Sequence, residues 1–207
     1  MNPVFLSASV PYPRPDVPGN AEHVKTADPL AIRDAVMALL EVVLPRTELY
    51  FGGHPAITPM VRRVAERHEL LGKVRNYQSR WFIDKFPTDN EAFPHLIITP
   101  SADTLDASLL TMRKRMLKML EPKDAEDQAP KRPFSAAFFI GGMKGVLDEY
   151  MLFRDIHGPG PPCFPVGTTG GAALDLLNGK IAPEFALVPL ANDTNYVPLF
   201  RRLLGIK

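Results

Sequence analysis

Short apolar runs alternate along this chain with longer stretches in which apolar residues recur every three or four positions. "PVFLSAS" (Pro3–Ser9) reads as a short buried strand ending in small hydroxyl residues. "TADPLAIRDAVMALLEVVLP" carries a helix start signal, Asp28 with Pro29 just after it. It places Leu30, Ile32, Val36, Leu39, Leu40 and Val43 at helical spacing, and Pro45 marks its end. "TELYFGG" is a second strand running into glycines, and "PAITPMVRRVAERHELLG" a second helix closed by Gly72. "KVRNYQSRWF" has strand-like stretches but is polar. "HLIITPS" (His95–Ser101) is a clean strand, followed by an amphipathic helix from about Asp103 to Leu120. "FSAAFFIGG" is the most apolar strand, and the helix "GVLDEYMLFRDI" follows it. "PPCFPVGTTGGAALDLL" reads as another strand, turn and helix, and "TNYVPLFRRLLGI" closes the chain with a short amphipathic helix.

Repeated alternation of strand and helix is the pattern of right-handed βαβ units. The expected fold class is therefore α/β: a doubly wound, Rossmann-like, mostly parallel sheet in a three-layer α/β/α arrangement, with residues 1–207 forming a single domain. In such sheets ligands bind outside the carboxyl ends of the strands. The turns at that edge are rich in small residues: "SAS" (Ser7, Ser9), "FGGHPAIT" (Gly52, Gly53, His54), "TPSADT" (Thr99, Ser101), "IGGMKG" (Gly141, Gly142, Met143, Lys144, Gly145) and "VGTTGGAA" (Gly167, Thr168, Thr169, Gly170). Small residues let ligand atoms approach the backbone, and helix N-termini add amide donors and a positive dipole. A phosphate-bearing ligand is the physical expectation. An ordinary tight corner in an α/β core is the competing reading of each glycine pair.

Charge narrows the partners. Lys and Arg number 24 against 23 Asp and Glu, so the near-neutral whole predicts neither nucleic-acid nor membrane binding. No apolar run approaches the roughly 20 residues needed to cross a bilayer. No signal peptide is visible, and Cys163 is alone, which suits a reducing cytoplasm. The 22 prolines crowd into 11–18, 122–133 and 159–165, where they read as loops.

No G-x-x-x-x-G-K-[ST] or G-x-G-x-x-G occurs, so neither a Walker loop nor an ordinary dehydrogenase fingerprint is present. Glu149 stands four residues after Gly145, about one helical turn in. A carboxylate there can accept hydrogen bonds from ribose hydroxyls or act as a general acid or base at a glycosidic bond, and a solvated helix acid near a favourable dipole end is the equal alternative. On the helix before the glycine strand, Met112, Met116 and Met119 share the buried side, so the run Arg113–Lys114–Arg115 reads first as a solvated face, with one arginine reaching a phosphate bidentately as the alternative. His23, His68, His95 and His157 lack metal-ligand spacing, so no metal is expected. Cys163 reads as a buried strand residue rather than a catalytic thiol.

"MRKRML" followed by "AAFFIGGMKGVLDE" resembles the paired motifs of LOG proteins, the cytokinin-activating phosphoribohydrolases once taken for lysine decarboxylases. Arg113 and Lys114 match that family's arginine–lysine pair, Gly141 and Gly142 its glycines, and Gly145 and Glu149 its later glycine and glutamate. Ile140 and Val146 replace the family's proline and threonine, and one extra residue precedes Gly145. With "VFLSASVP" and "YFGGHPAITPMV", the chain is more similar to the wider SLOG superfamily, which includes sensor domains of melastatin-type TRP channels and of bacterial antiviral systems such as Thoeris.

The resemblance implies a nucleotide or NAD-derived ligand, ADP-ribose-like or cyclic, with no further cofactor required. A sensor in bacterial stress or antiviral signalling would need a homo-oligomer, such as a dimer, or a separate effector protein. The enzymatic alternative is a LOG-like N-glycosidase in which Arg113 holds phosphate and Glu149 stabilises an oxocarbenium-like ribose. A third reading, a TIR-like or deoxyribosyltransferase-like module, would need a mid-chain glutamate. Glu66, Glu69 and Glu91 are available without supporting context.

Overall fold

The computed structural model describes every residue except Pro15, Val17, Pro18 and Lys207, so part of the proline-rich stretch 11–18 lies outside the described residues. Six strands form one sheet: β1 (Val4–Ser9), β2 (Leu49–Gly52), β3 (Val74–Ser79), β4 (Leu96–Thr99), β5 (Ala136–Gly141) and β6 (Cys163–Val166). Their order is β4-β3-β2-β1-β5-β6, and every neighbouring pair is parallel. The helices are α1 (Asn20–Thr26), α2 (Pro29–Val43), α3 (Thr58–Arg67), α4 (Leu105–Lys118), α5 (Lys144–His157), α6 (Gly171–Asn178), α7 (Glu184–Asn192) and α8 (Tyr196–Leu203). Among the described residues, no helix is long and apolar enough to cross a membrane.

Strand alternation divides the core in two. Val4, Leu6, Phe138, Ile140, Phe164 and Val166 pack with α2, α3 and α8, while Phe5, Tyr50, Tyr77 and Phe139 pack with α4 and α5. The result is a three-layer α/β/α Rossmann-like fold. Full burial of one large apolar side chain contributes about 1.5–3 kcal/mol, so these two layers supply the main stabilisation. β6 lies at the sheet edge, where Pro165 withholds no donor that an inner strand would need.

Local signals act as the sequence implies at α2. Asp28 caps it by accepting from the Leu30 and Ala31 amides at 2.9 and 3.0 Å, and Ile32, Val36, Leu39, Leu40 and Val43 are fully buried. Leu30 departs from that series: it sits in the first turn, 63% exposed. The helix expected to close at Gly72 ends instead at Arg67. Glu69 takes a left-handed φ of 58°, and the Leu70 amide reaches back to the Ala65 carbonyl at 2.7 Å, which completes the turn before Gly72 is reached. The polar "KVRNYQS" segment is a central strand, β3, with Asn76, Gln78 and Ser79 all buried. Helices α1 and α7 and the short 3-10 segments Arg80–Lys85 and Thr88–Ala92 have no counterpart in the sequence reading.

Candidate functional site

From β1 the chain winds outward through β2, β3 and β4, then crosses the sheet to β5 and β6 on the other side. The carboxyl ends of β1 and β5 therefore flank the topological switch point, where loops leave in opposite directions and a crevice must open. A cavity of about 710 Å³ occupies that crevice. Small-molecule sites range over about 300–1,000 Å³. Of the residues expected to bind ligand, the cavity wall holds Ser7 and Ser9 from β1, Gly52 at the end of β2 with Gly53 and His54 just after it, and Met143 and Gly145 at the start of α5. Arg113 from α4 and Glu149 from α5 face the same space.

The remaining candidates lie elsewhere. Gly141 and Gly142, with φ of 59° and 87°, form the corner between β5 and α5. A Cβ on Gly141 would stand 2.4 Å from Ile32 Cδ1 and 2.8 Å from the Ser9 carbonyl oxygen, so glycine is needed for packing alone. Their amides are taken: Gly141 donates to Thr169 Oγ1 at 2.8 Å and Gly142 to the Ser9 carbonyl at 2.8 Å. The Gly167–Gly170 loop braces this corner from behind. Thr169 Oγ1 donates onward to the Val166 carbonyl at 2.6 Å, Thr168 pairs with the Tyr196 hydroxyl at 3.0 Å, and Gly170 packs directly on the Thr26 backbone. Thr99 is buried, donating to the Gln78 carbonyl at 3.3 Å, and Ser101 is exposed outside the cavity. Lys144 faces a shallower groove between α4 and α5, bound to Asp148 at 2.7 Å.

At the α5 side of the cavity, Arg113 Nε donates to Glu149 Oε1 at 3.3 Å, and the guanidinium also reaches Asp148 Oδ2 at 3.4 Å. Gly145 keeps this end of the side chain uncrowded: a Cβ there would be 3.0 Å from an Arg113 terminal nitrogen. The Arg113 and Glu149 side chains are each only 14% exposed. Glu149 and Asp148 already answer the Arg113 charge within the protein, and the first amides of α5, which no side chain caps, are the donors left facing the positive helix pole. That end of α5 has no side-chain cap, and its Gly142–Met143 entry carries no acid before Asp148. Such a pole is built to receive negative charge. Nearby, Ser7 Oγ is buried at the cavity wall without a hydrogen-bond partner among the described residues.

His54 Nδ1 accepts from the Ala56 amide at 3.2 Å, which leaves the ring proton on Nε2. Burial lowers its pKa, so the neutral imidazole is the resident form. Cys163 is buried in β6, and burial pushes its thiol up to about 11, so it is protonated and inert at neutral pH. Among the described residues, no group of three or more His, Cys, Asp or Glu side chains converges to hold a metal ion. Among the cavity residues that the sequence reading missed are Gln78 on β3, and Phe82, Lys85 and Phe86 on the segment that follows it. Aromatic spacing in "RWFIDKF" was the one available signal, and the polarity of β3 hid Gln78.

Comparison with curated proteins gives no match. The family model of the SLOG cluster3 family matches residues 22–204, which include strands β2 to β6, helices α2 to α8, most of α1 and the Arg113–Glu149 pair, while β1 precedes the match. With nearly the whole sheet and its helices covered by that match, this chain belongs to the SLOG cluster3 family.

Proposed function

We propose that this protein binds a nucleotide or NAD-derived ligand, ADP-ribose-like or cyclic, over the carboxyl edge of the sheet, and that it acts as a sensor of that ligand. The observation that carries this reading is the uncapped start of α5 beside Arg113, opening on a 710 Å³ cavity at the switch point. The phosphate lies against the first amides of α5 and the guanidinium, and the sugar hydroxyls meet Glu149 and Ser7. Family membership supports a nucleotide-related Rossmann-like domain. Thermal denaturation with ADP-ribose, NAD and AMP tests it: a ligand at about 100 times its Kd adds about 2.7 kcal/mol to stability. An unchanged melting temperature with all three sinks the reading.

One observation favours a second reading, hydrolysis of an N-glycosidic bond. The carboxylate of Glu149 and the Arg113 cation share the cavity at 3.3 Å, so a phosphate anchor and a group able to stabilise an oxocarbenium-like ribose stand together. Chromatographic detection of free base from NAD or AMP, abolished in Glu149→Gln, is the outcome that reading requires.

A further inference from the structure

On β3, Gln78 is 5% exposed, lines the cavity, and has a side-chain amide nitrogen with no hydrogen-bond partner among the described residues. Asn76 Oδ1, also without a partner among the described residues, flanks Gly53 too but makes no hydrogen bond with Gln78, so the amide stays open to an acceptor within the cavity. Gly53 keeps the carboxamide in place: a Cβ at that position would stand 1.7 Å from Gln78 Nε2, so only glycine leaves room for the amide against the backbone. His54, one residue on, adds a second donor from Nε2 on the same wall.

The surroundings of these donors are apolar and aromatic. Phe82 and Phe86 line the cavity just beyond β3, each half-buried, and neither joins the ring clusters that fill the core. Phenyl faces without ring partners, next to a few fixed donors, suit a flat heterocycle with acceptors on its edge. Position along the sheet agrees. β3 and β5 are separated by β2 and β1, three strand spacings or about 14 Å, which suits a nucleoside phosphate laid across the strand ends.

We infer that Gln78, Phe82 and Phe86 form a nucleobase subsite at the β3 end of the cavity, with the Gln78 carboxamide donating to an acceptor on the base edge. This inference rests on the nucleotide reading and names the part of the ligand held at that end. Gln78 is then a specificity-determining residue: carboxamides read base edges by donor and acceptor pattern, and stacking on phenyl rings adds affinity for any base.

The test is calorimetric titration of the full chain with AMP and with ribose 5-phosphate, which carries the same sugar phosphate and no base. Wild type binds AMP about tenfold or more tightly than ribose 5-phosphate. Gln78→Glu, which exchanges the donor for an acceptor, and Phe86→Ala, at a half-buried position that leaves the core intact, each weaken AMP by about tenfold and leave ribose 5-phosphate within about twofold. Equal affinity of wild type for the two ligands overturns the base subsite while the sugar-phosphate reading stands. Unchanged AMP affinity in both variants does the same. Loss of both ligands in both variants shows general damage to the cavity and also counts against a distinct base subsite. Failure of wild type to bind either ligand removes the subsite, and removes the nucleotide reading as well when ADP-ribose and NAD also leave the melting temperature unchanged.

Discussion

The Arg113–Glu149 contact lends itself to a quantitative test. At 3.3 Å, with an effective dielectric of about 20, the gross attraction between unit charges is about 5 kcal/mol. Most of that is offset by desolvation, because each side chain retains only 14% exposure. Exposed pairs couple by about 0.2–1 kcal/mol, and breaking a buried pair costs about 3–5 kcal/mol. A pair buried on one side and facing a cavity on the other falls between, at about 1–2 kcal/mol of coupling. Arg113→Met, Glu149→Gln and the double variant form the cycle, read by urea denaturation. At this chain length each kcal/mol moves the melting temperature by about 2–4 °C. The coupling persists at about 1 M salt, where the screening length falls to about 3 Å, because the pair is shielded from bulk ions. Ligand affinity moves in opposite directions: Arg113→Met weakens inorganic phosphate, and Glu149→Gln tightens it by removing a negative charge beside the anion. Single effects that add to within about 0.3 kcal/mol, or a coupling erased by salt, refute the pairing. Weaker phosphate binding in Glu149→Gln refutes the charge argument.

Other substitutions separate packing from binding. Gly170→Ala places a methyl 1.9 Å from the Thr26 carbonyl oxygen in a residue whose φ is 67°, so it destabilises by more than about 2 kcal/mol in urea melts; a cost under about 0.5 kcal/mol contradicts the packing. Ser7→Ala removes a buried hydroxyl that has no partner among the described residues, so stability stays level or rises by up to about 1 kcal/mol while nucleotide affinity falls; a destabilisation above about 1 kcal/mol contradicts that assignment. Acid weakens the fold through His54 and His157, whose pKa values burial lowers below 6.5, the second also packing on Phe134 and Phe153. Folding favours their neutral forms, so stability is full above about 6.5 and declines as pH falls from there through the folded values. Urea midpoints at about pH 7.5 and 5.5 check the sign, and a higher midpoint at the lower pH contradicts it.

Signals that act over a few residues were readable in the chain. Asp28 caps α2 through hydrogen bonds two and three residues away, and the apolar run of β5 admits no element but a buried strand. The meeting of Arg113 with Glu149 was readable only through the family motif, because it joins residues on two helices. Glycine content marks close backbone approach without naming the neighbour. At Gly53 the neighbour is a cavity side chain, Gln78, and at Gly170 it is the Thr26 backbone. β3 hid its role because polar side chains were weighed as exposed, whereas its position between β2 and β4 buries Asn76 and Gln78. The seven-residue α1 and the proline-containing α7 are too short or too irregular for periodicity to declare. α1 nonetheless flanks the site: the Asn20 amide donates to Met143 Sδ at 2.9 Å, and His23 pairs with Asp175 on α6 at 2.9 Å.

The central claim is that a sugar phosphate sits between the first turn of α5 and Arg113. A crystal structure of the protein grown with ADP-ribose tests it most directly. The account predicts a phosphate oxygen about 3 Å from the Lys144 or Gly145 amide and from the Arg113 guanidinium, with the ribose against Glu149. Well-ordered ADP-ribose bound anywhere else, or a cavity without it at saturating concentration, contradicts the account.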